Sequence, residues 1–244
     1  MKRRPDMFEQ YFDFAIERLQ WLRENQADAI HEAAGIVSQV IAADRHVYTF
    51  GSGHSQLLAR EISERAGGLA PVFHLPDPIW GMAERLEGFG EILLQQYPVQ
   101  PGEAIFVISN SGRNPEPIEV ALRSKEIGLH VIVVTSLAHS MSVTSRHSSG
   151  KKLYECGDVV LDTGTPTGDA ALTFEGLPTK AGALSTVLGA ALLNAVMAEA
   201  IQTLLDQGIT PPVFISANVD GSDEHNAALM ERYKEMAWAP RFFF

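Results

Sequence analysis

Two short stretches carry residue types that suit an anion. The first is Ser109-Asn110-Ser111-Gly112-Arg113-Asn114, which follows the apolar run Ile105-Phe106-Val107-Ile108 and precedes Pro115. A continuous run of β-formers reads as a strand buried on both faces of a parallel sheet. A helical pattern follows over residues 117–127 and closes at Gly128, a helix C-cap. A buried strand that ends in hydroxyls, a glycine and a helix start suits a phosphate. Backbone N–H groups point outward there, serine side chains donate, and the helix N-terminus adds positive potential. The second stretch is Gly51-Ser52-Gly53-His54-Ser55, after a short apolar run at 47–50 and before a helix read over 56–66. A dinucleotide fingerprint needs a further glycine where Gln56 stands, so a dinucleotide is disfavoured. One such turn is an ordinary strand-to-helix connection, whereas two in one chain form a pattern.

The elements that must position these turns alternate. Residues 8–43 are helical by period, with Gly35 as the expected break. A third strand is expected at 71–75, and a helix over 83–96 bears Glu84, Glu87 and Glu91 on a solvated acidic face. A buried strand at 131–135 ends in Thr135-Ser136, and a polar loop at 137–152 contains His139 and His147. A strand at 159–161 precedes a Gly/Pro/Thr-rich stretch and a long apolar helix over 178–205. A last helix is expected over 224–236, capped by Asp223, with His225 in its first turn. No linker or low-complexity segment divides the chain. The expectation is one domain over 1–244, made of an N-terminal helical segment (1–44), an α/β core (45–206) and a tail (207–244).

Composition narrows the function classes. The chain has 244 residues, 45% of them apolar, and a formal charge of −11 with no basic run. A nucleic-acid surface is therefore excluded from the reading, and with it a DNA-binding use of the early helices. The single cysteine, Cys156, gives neither a disulfide framework nor a cysteine-based zinc site. The eight histidines form no HxH or HxxxH pair, so neither a metal nor a cofactor is implied. The first residues lack the apolar stretch of a signal peptide, and the apolar run at 181–198 is broken by Ser185, Thr186 and Asn194. A cytoplasmic protein without a membrane span is expected.

With FGSGHS at 50–55, ISNSGRNPEPIEVALRSKEIG at 108–128 and VIVVTS at 131–136, the chain resembles the sugar-isomerase (SIS) domain family. The resemblance covers roughly residues 33–205. Together with HSSGKKLYE and ANVDGSDEHN, the whole chain looks like a group of stand-alone bacterial SIS proteins. It implies a three-layer α/β/α, doubly wound sandwich with a five-stranded parallel sheet, assembled as a dimer or tetramer. The apolar 181–198 face would lie in that interface. By match, Ser52, Gly53, Ser55, Ser109, Asn110, Ser111, Gly112, Thr135 and Ser136 hold the phosphate of a sugar phosphate.

The resemblance leaves three reactions open. Aldose–ketose isomerisation needs a base on the sugar carbons, and resemblance to phosphoheptose isomerases offers Glu64, with His147 or His225 as partner acid. Those isomerases place a histidine on the long late helix, where this chain has none. SGRNP and Lys180-Ala181-Gly182 also resemble N-acetylmuramic acid 6-phosphate etherases, which eliminate lactate with two glutamates. SIS domains also serve as sensors that bind a sugar phosphate without transforming it.

Overall fold

The computed structural model describes residues 6–233. Five parallel strands form the central sheet: β1 (Val47–Gly51), β2 (Val72–Leu75), β3 (Ala104–Ile108), β4 (His130–Thr135) and β5 (Val159–Asp162). Their order is β2-β1-β3-β4-β5. The register sets Phe50 opposite both Leu75 and Val107, and Ile108 opposite Val134. β1 and β3 are buried along their whole length, as their continuous apolar sequences require. The edge strand β5 alternates buried and half-buried residues.

Alternate strand residues feed two cores. Val47, Phe106 and Ile108 pack with α2 (Ala27–Ala42), α3 (Gln56–Glu61) and α7 (Ser185–Asp206). Tyr48, Phe50, Ile105 and Val107 pack with α4 (Phe89–Leu94) and α5 (Pro115–Ile127). Phe50 and Phe106 are both fully buried, and each such phenyl contributes about 3 kcal/mol of transfer free energy. α1 (Met7–Asn25) packs outside this layer, against α7 and a hairpin described below. It leaves Phe8, Phe12 and Ile16 exposed at a spacing of one helical turn.

The strand order reverses between β1 and β3. The chain leaves β1 toward β2 on one side and returns past β1 to β3 on the other. That reversal opens a crevice outside the carboxyl ends of β1 and β3, where ligands bind in open parallel sheets. Both serine turns lie there.

Several sequence expectations are corrected. The early helices break at Gln26, which is half in each helix, while Gly35 lies inside α2. The helix after β1 stops at Glu61, and Glu64 sits beyond it in a left-handed backbone conformation (φ 49°). Most of 83–96 is turn, with only α4 helical. The polar loop expected over 137–152 begins with a helical turn, α6 (Leu137–Met141). The expected 178–205 helix begins only at Ser185. Before it, β6 (Ala170–Thr173) and β7 (Lys180–Ala183) form an antiparallel hairpin with Leu172 opposite Ala181. Tyr11 of α1 secures it, its hydroxyl donating to the Ala183 carbonyl at 2.8 Å. α8 runs Ser222–Arg232 with Gly221, not Asp223, at its N-cap. The expected extension of that helix to Met236 lies outside the described residues.

α7 is long and apolar enough to cross a membrane by length and composition. Here its Leu188, Leu192, Val196, Met197 and Ala200 face is buried in the α2 layer.

Candidate functional site

The turn after β1 begins at Gly51, whose bare Cα admits the chain folding back: a Cβ there would stand 2.6 Å from the Ser55 carbonyl oxygen. A single 3₁₀ turn over Gly53–Ser55 then presents Ser52, His54 and Ser55 at the carboxyl end of the strand. Ser52 is buried, Ser55 half-buried and His54 exposed.

The turn after β3 is braced from both sides. The Ser109 N–H donates to Val134 (3.0 Å), and the Ser109 hydroxyl accepts from the Gly112 N–H (3.3 Å). Gly112 adopts φ +58°, a conformation glycine enters without steric cost. The Asn110 carbonyl accepts from the Ser136 N–H (3.1 Å) and the Thr135 hydroxyl (3.3 Å). Ser111 is left half-buried, its hydroxyl making no hydrogen bond among the described residues. Asn114 occupies the N-cap position of α5 without a side-chain cap bond, and Pro115 follows in the first turn, where proline's missing donor costs nothing.

Thr135 and Ser136 are placed differently from the serines of the two turns. Both are fully buried, and both hydroxyl protons are committed to carbonyls. Thr135 donates to Asn110, and Ser136 donates to Thr165 at 2.6 Å. They hold the Ser109–Gly112 turn in place and do not present donors to the crevice.

A cavity of about 150 Å³ opens beside the two turns. Its walls include His54, Ser55, Asn110, Thr163, Asp169 and the head of α7 at Ser185 and Thr186. Asp169 has φ +65°. One of its carboxylate oxygens accepts from the Leu184 and Ser185 N–H groups (3.0 and 2.7 Å), the other from the Ser185 hydroxyl (2.7 Å).

On the other side of Ser52 stands a group of carboxyls. Asp77, nearly fully buried, accepts from the backbone N–H groups of Ile79 and Gly81. Glu119 accepts from Gly88 (2.5 Å) and Gly90 (2.9 Å). Glu116, in the first turn of α5, is fully buried, and among the described residues no group meets hydrogen-bond geometry with either of its oxygens. Burial, with Asp77 and Glu84 beside it, pushes its carboxyl up to about 8, against the pull of the Ser52 hydroxyl. Nothing in the sequence pattern marked Glu116 out. It stands one residue past Pro115 in the motif itself, but its burial follows from α4 packing on α5. His54 was equally visible inside GSGHS, yet its place on the cavity wall depends on α7 arriving from far along the chain.

The structure does not gather the acid–base candidates of the sequence. Glu64 is exposed and lines a separate groove with Phe73, Phe214 and Tyr233. Tyr233 packs on His46, at the amino end of β1, so this groove lies away from the crevice. His225 shares a hydrogen bond with the Val213 carbonyl (2.9 Å), and Val213 bridges Leu69 ahead of β2. His147 lies nearer, 3.7 Å from Glu119, with its other ring nitrogen 2.6 Å from the Ser149 hydroxyl. Arg113 is turned to the same loop, donating to the Thr144 carbonyl at 2.9 Å. Among the described residues, no group of three or more His, Cys, Asp or Glu is disposed to hold a metal ion.

Residues 10–136, which include both serine turns, match the family model of the SIS domain. The chain belongs to the SIS domain family. Over nearly its full length, this SIS protein is 44% identical to a UPF0309 protein of Listeria monocytogenes, covering 92% of this chain and 96% of that one. Its fold is similar to a phosphoheptose isomerase from Francisella tularensis (TM-score 0.58, 15% identity, 80% of this chain and 96% of that one). It is also similar to the Vibrio vulnificus NanR protein, solved in complex with ManNAc-6P (TM-score 0.52, 15% identity, 95% of this chain and 69% of that one). These two likenesses extend the five-stranded parallel sheet and its flanking helices to the SIS fold as a whole.

Proposed function

We propose that the protein binds a sugar phosphate and catalyses its aldose–ketose isomerisation. The observation that carries this reading is the convergence of two serine turns at the β1/β3 reversal, beside one cavity. Ser52, Ser55, Ser109 and Ser111, with the backbone of Gly53, Asn110 and Gly112, form the phosphate cradle. Thr135 and Ser136 support it from behind. The α5 N-terminus adds positive potential to a site that offers the phosphate no committed lysine or arginine. The names of the phosphoheptose isomerase and of the ManNAc-6P complex among the structural neighbours agree with this ligand class.

Isomerisation moves a proton between adjacent sugar carbons, which a single base can do on one face of an enediol. His54 is a cavity-wall side chain whose ring is not held by another of the described residues, and an imidazole can accept and return a proton. Asp169, whose oxygens are engaged at the head of α7, orients that wall. Glu64 enters this chemistry only if a second copy of the chain brings it to a neighbour's cavity. The exposed Phe8, Phe12 and Ile16 stripe supports a homo-oligomer.

The test is a thermal-shift screen of sugar 6- and 7-phosphates, followed by NMR of the best-binding compound with the enzyme in deuterated water. New ketose or aldose signals with deuterium at the migrating position support isomerisation. Lactate release from a lactyl sugar phosphate assigns a lyase, binding without change assigns a sensor, and no stabilisation by any sugar phosphate removes the reading.

A further inference from the structure

Glu116 is an anomaly of the site. A buried carboxyl without a hydrogen-bond partner is costly whether charged or neutral, and native interiors rarely keep one without a function. Here it sits in the first turn of α5, immediately behind the phosphate turns. α4 packs directly on that turn of α5: a Cβ at Gly90 would collide with the Glu116 backbone carbonyl. Ser52, itself buried, is the hydroxyl beside this carboxyl and belongs to the turn after β1.

The groups around Glu116 fix its chemistry. From the connection after β2 come Asp77 and Glu84, the latter 4.0 Å from Arg85. From its own helix comes Glu119, with His147 at 3.7 Å. From α4 comes only the exposed Glu91, and Arg146 is turned to Asn114, its guanidinium donating to Oδ1 at 2.8 Å. The nearby side chains are therefore dominated by negative charge, and none supplies Glu116 with an ion pair.

A serine hydroxyl has one proton to give. Beside an ionised Glu116, Ser52 gives that proton to the carboxylate. Beside a neutral Glu116, the carboxylic acid donates instead. Resting on the phosphate-cradle reading above, the geometry points to Glu116 as a positioning residue that acts through Ser52. As a neutral acid it donates to the Ser52 oxygen and leaves the Ser52 O–H free for the phosphate, so a bound phosphate and a proton on Glu116 accompany each other. The proton comes from solvent when phosphate binds to the ionised form. A dianion arriving near the carboxyl acts in the same direction.

The probe is inorganic phosphate, titrated calorimetrically at about pH 9, where it is already a dianion. Two buffers of different ionisation enthalpy give the number of protons exchanged. The wild-type protein should take up about one proton per phosphate, and its affinity should fall about tenfold between pH 9 and pH 10. Glu116→Gln, whose amide donates to Ser52 at every pH, should bind phosphate with no uptake and a flat profile. Ser52→Ala, the second variant should the first not fold, should still bind through Ser109 and Ser111 with less than half the wild-type uptake. Wild-type binding without uptake, or equal uptake in Glu116→Gln, overturns the role of Glu116 and leaves the cradle standing. No phosphate binding by the wild type at either pH overturns both.

Discussion

Gly112 lies against Thr135 so closely that a Cβ on Gly112 would stand 3.1 Å from the Thr135 hydroxyl oxygen, and 2.9 Å from that of Ser140. The turn after β3 is thus packed directly on the end of β4. Gly112→Ala meets this contact and the positive φ together. It should cost about 1–3 kcal/mol of stability and displace Ser111, weakening sugar-phosphate affinity at least about tenfold. Thermal melting and ligand titration on the same sample check both effects.

Ser109 and Ser111 should separate under mutation. Ser109 accepts from the Gly112 N–H, whereas Ser111 has no partner among the described residues. Ser111→Ala should leave the melting temperature within a degree or so while weakening phosphate binding about tenfold, the loss of one hydrogen bond to a charged group. Ser109→Ala should lower both. Equal stability losses in the two variants would contradict the assignment.

His54→Gln tests the proton path. Binding of the best sugar phosphate should stay within about threefold, while deuterium wash-in from solvent should drop by about a hundredfold or more, the usual range for losing a general base. Exchange at the wild-type rate in this variant would exclude His54.

The stability of the free protein should carry the signature of Glu116. In the unfolded chain this carboxyl ionises near 4.5, and in the fold it holds its proton up to about 8. Between those values the unfolded state binds fewer protons, so native stability falls as pH rises and levels off above pH 8. Glu116→Gln lacks this dependence. Relative to wild type, the variant should gain roughly 3–5 kcal/mol between about pH 4.5 and pH 8, whatever its pH-independent cost. Urea unfolding at four or five pH values reads that difference directly, and parallel curves for the two proteins would refute the buried neutral acid.

The sheet was legible because its strands are continuous apolar runs bounded by glycine and hydroxyl residues. Phe50 and Ile105 to Ile108 announce burial on both faces without any knowledge of their neighbours. The serine turns were legible for the same reason: their chemistry is local. Local pattern failed where tertiary contact decides. The apolar composition near Lys180 to Ala183 suits a helix, yet Leu172 and Ala181 pair across a hairpin that α1 supports. Glu64 reads as the next turn of α3, but that helix ends at Glu61, and the chain reverses toward β2. Thr135 and Ser136 look like ligand donors until their hydroxyl protons are followed to Asn110 and Thr165. Glu116 could not be singled out, because what distinguishes it is burial beside other carboxyls where α4 packs on α5, and no local sequence pattern announces that.

Asp169 gives the hairpin a property of its own. The chain enters the hairpin at Asp169 and leaves it at Leu184 and Ser185, and the one carboxylate grips both exit residues. The two ends are therefore fastened to each other before either is fastened to the sheet. A segment closed in this way behaves as a cassette. Its tip at Phe174 to Leu177 can be lengthened, trimmed or exchanged while β5 and α7 keep their places. Because the clasp also forms a wall of the cavity, such exchanges would reshape that compartment without disturbing the two serine turns.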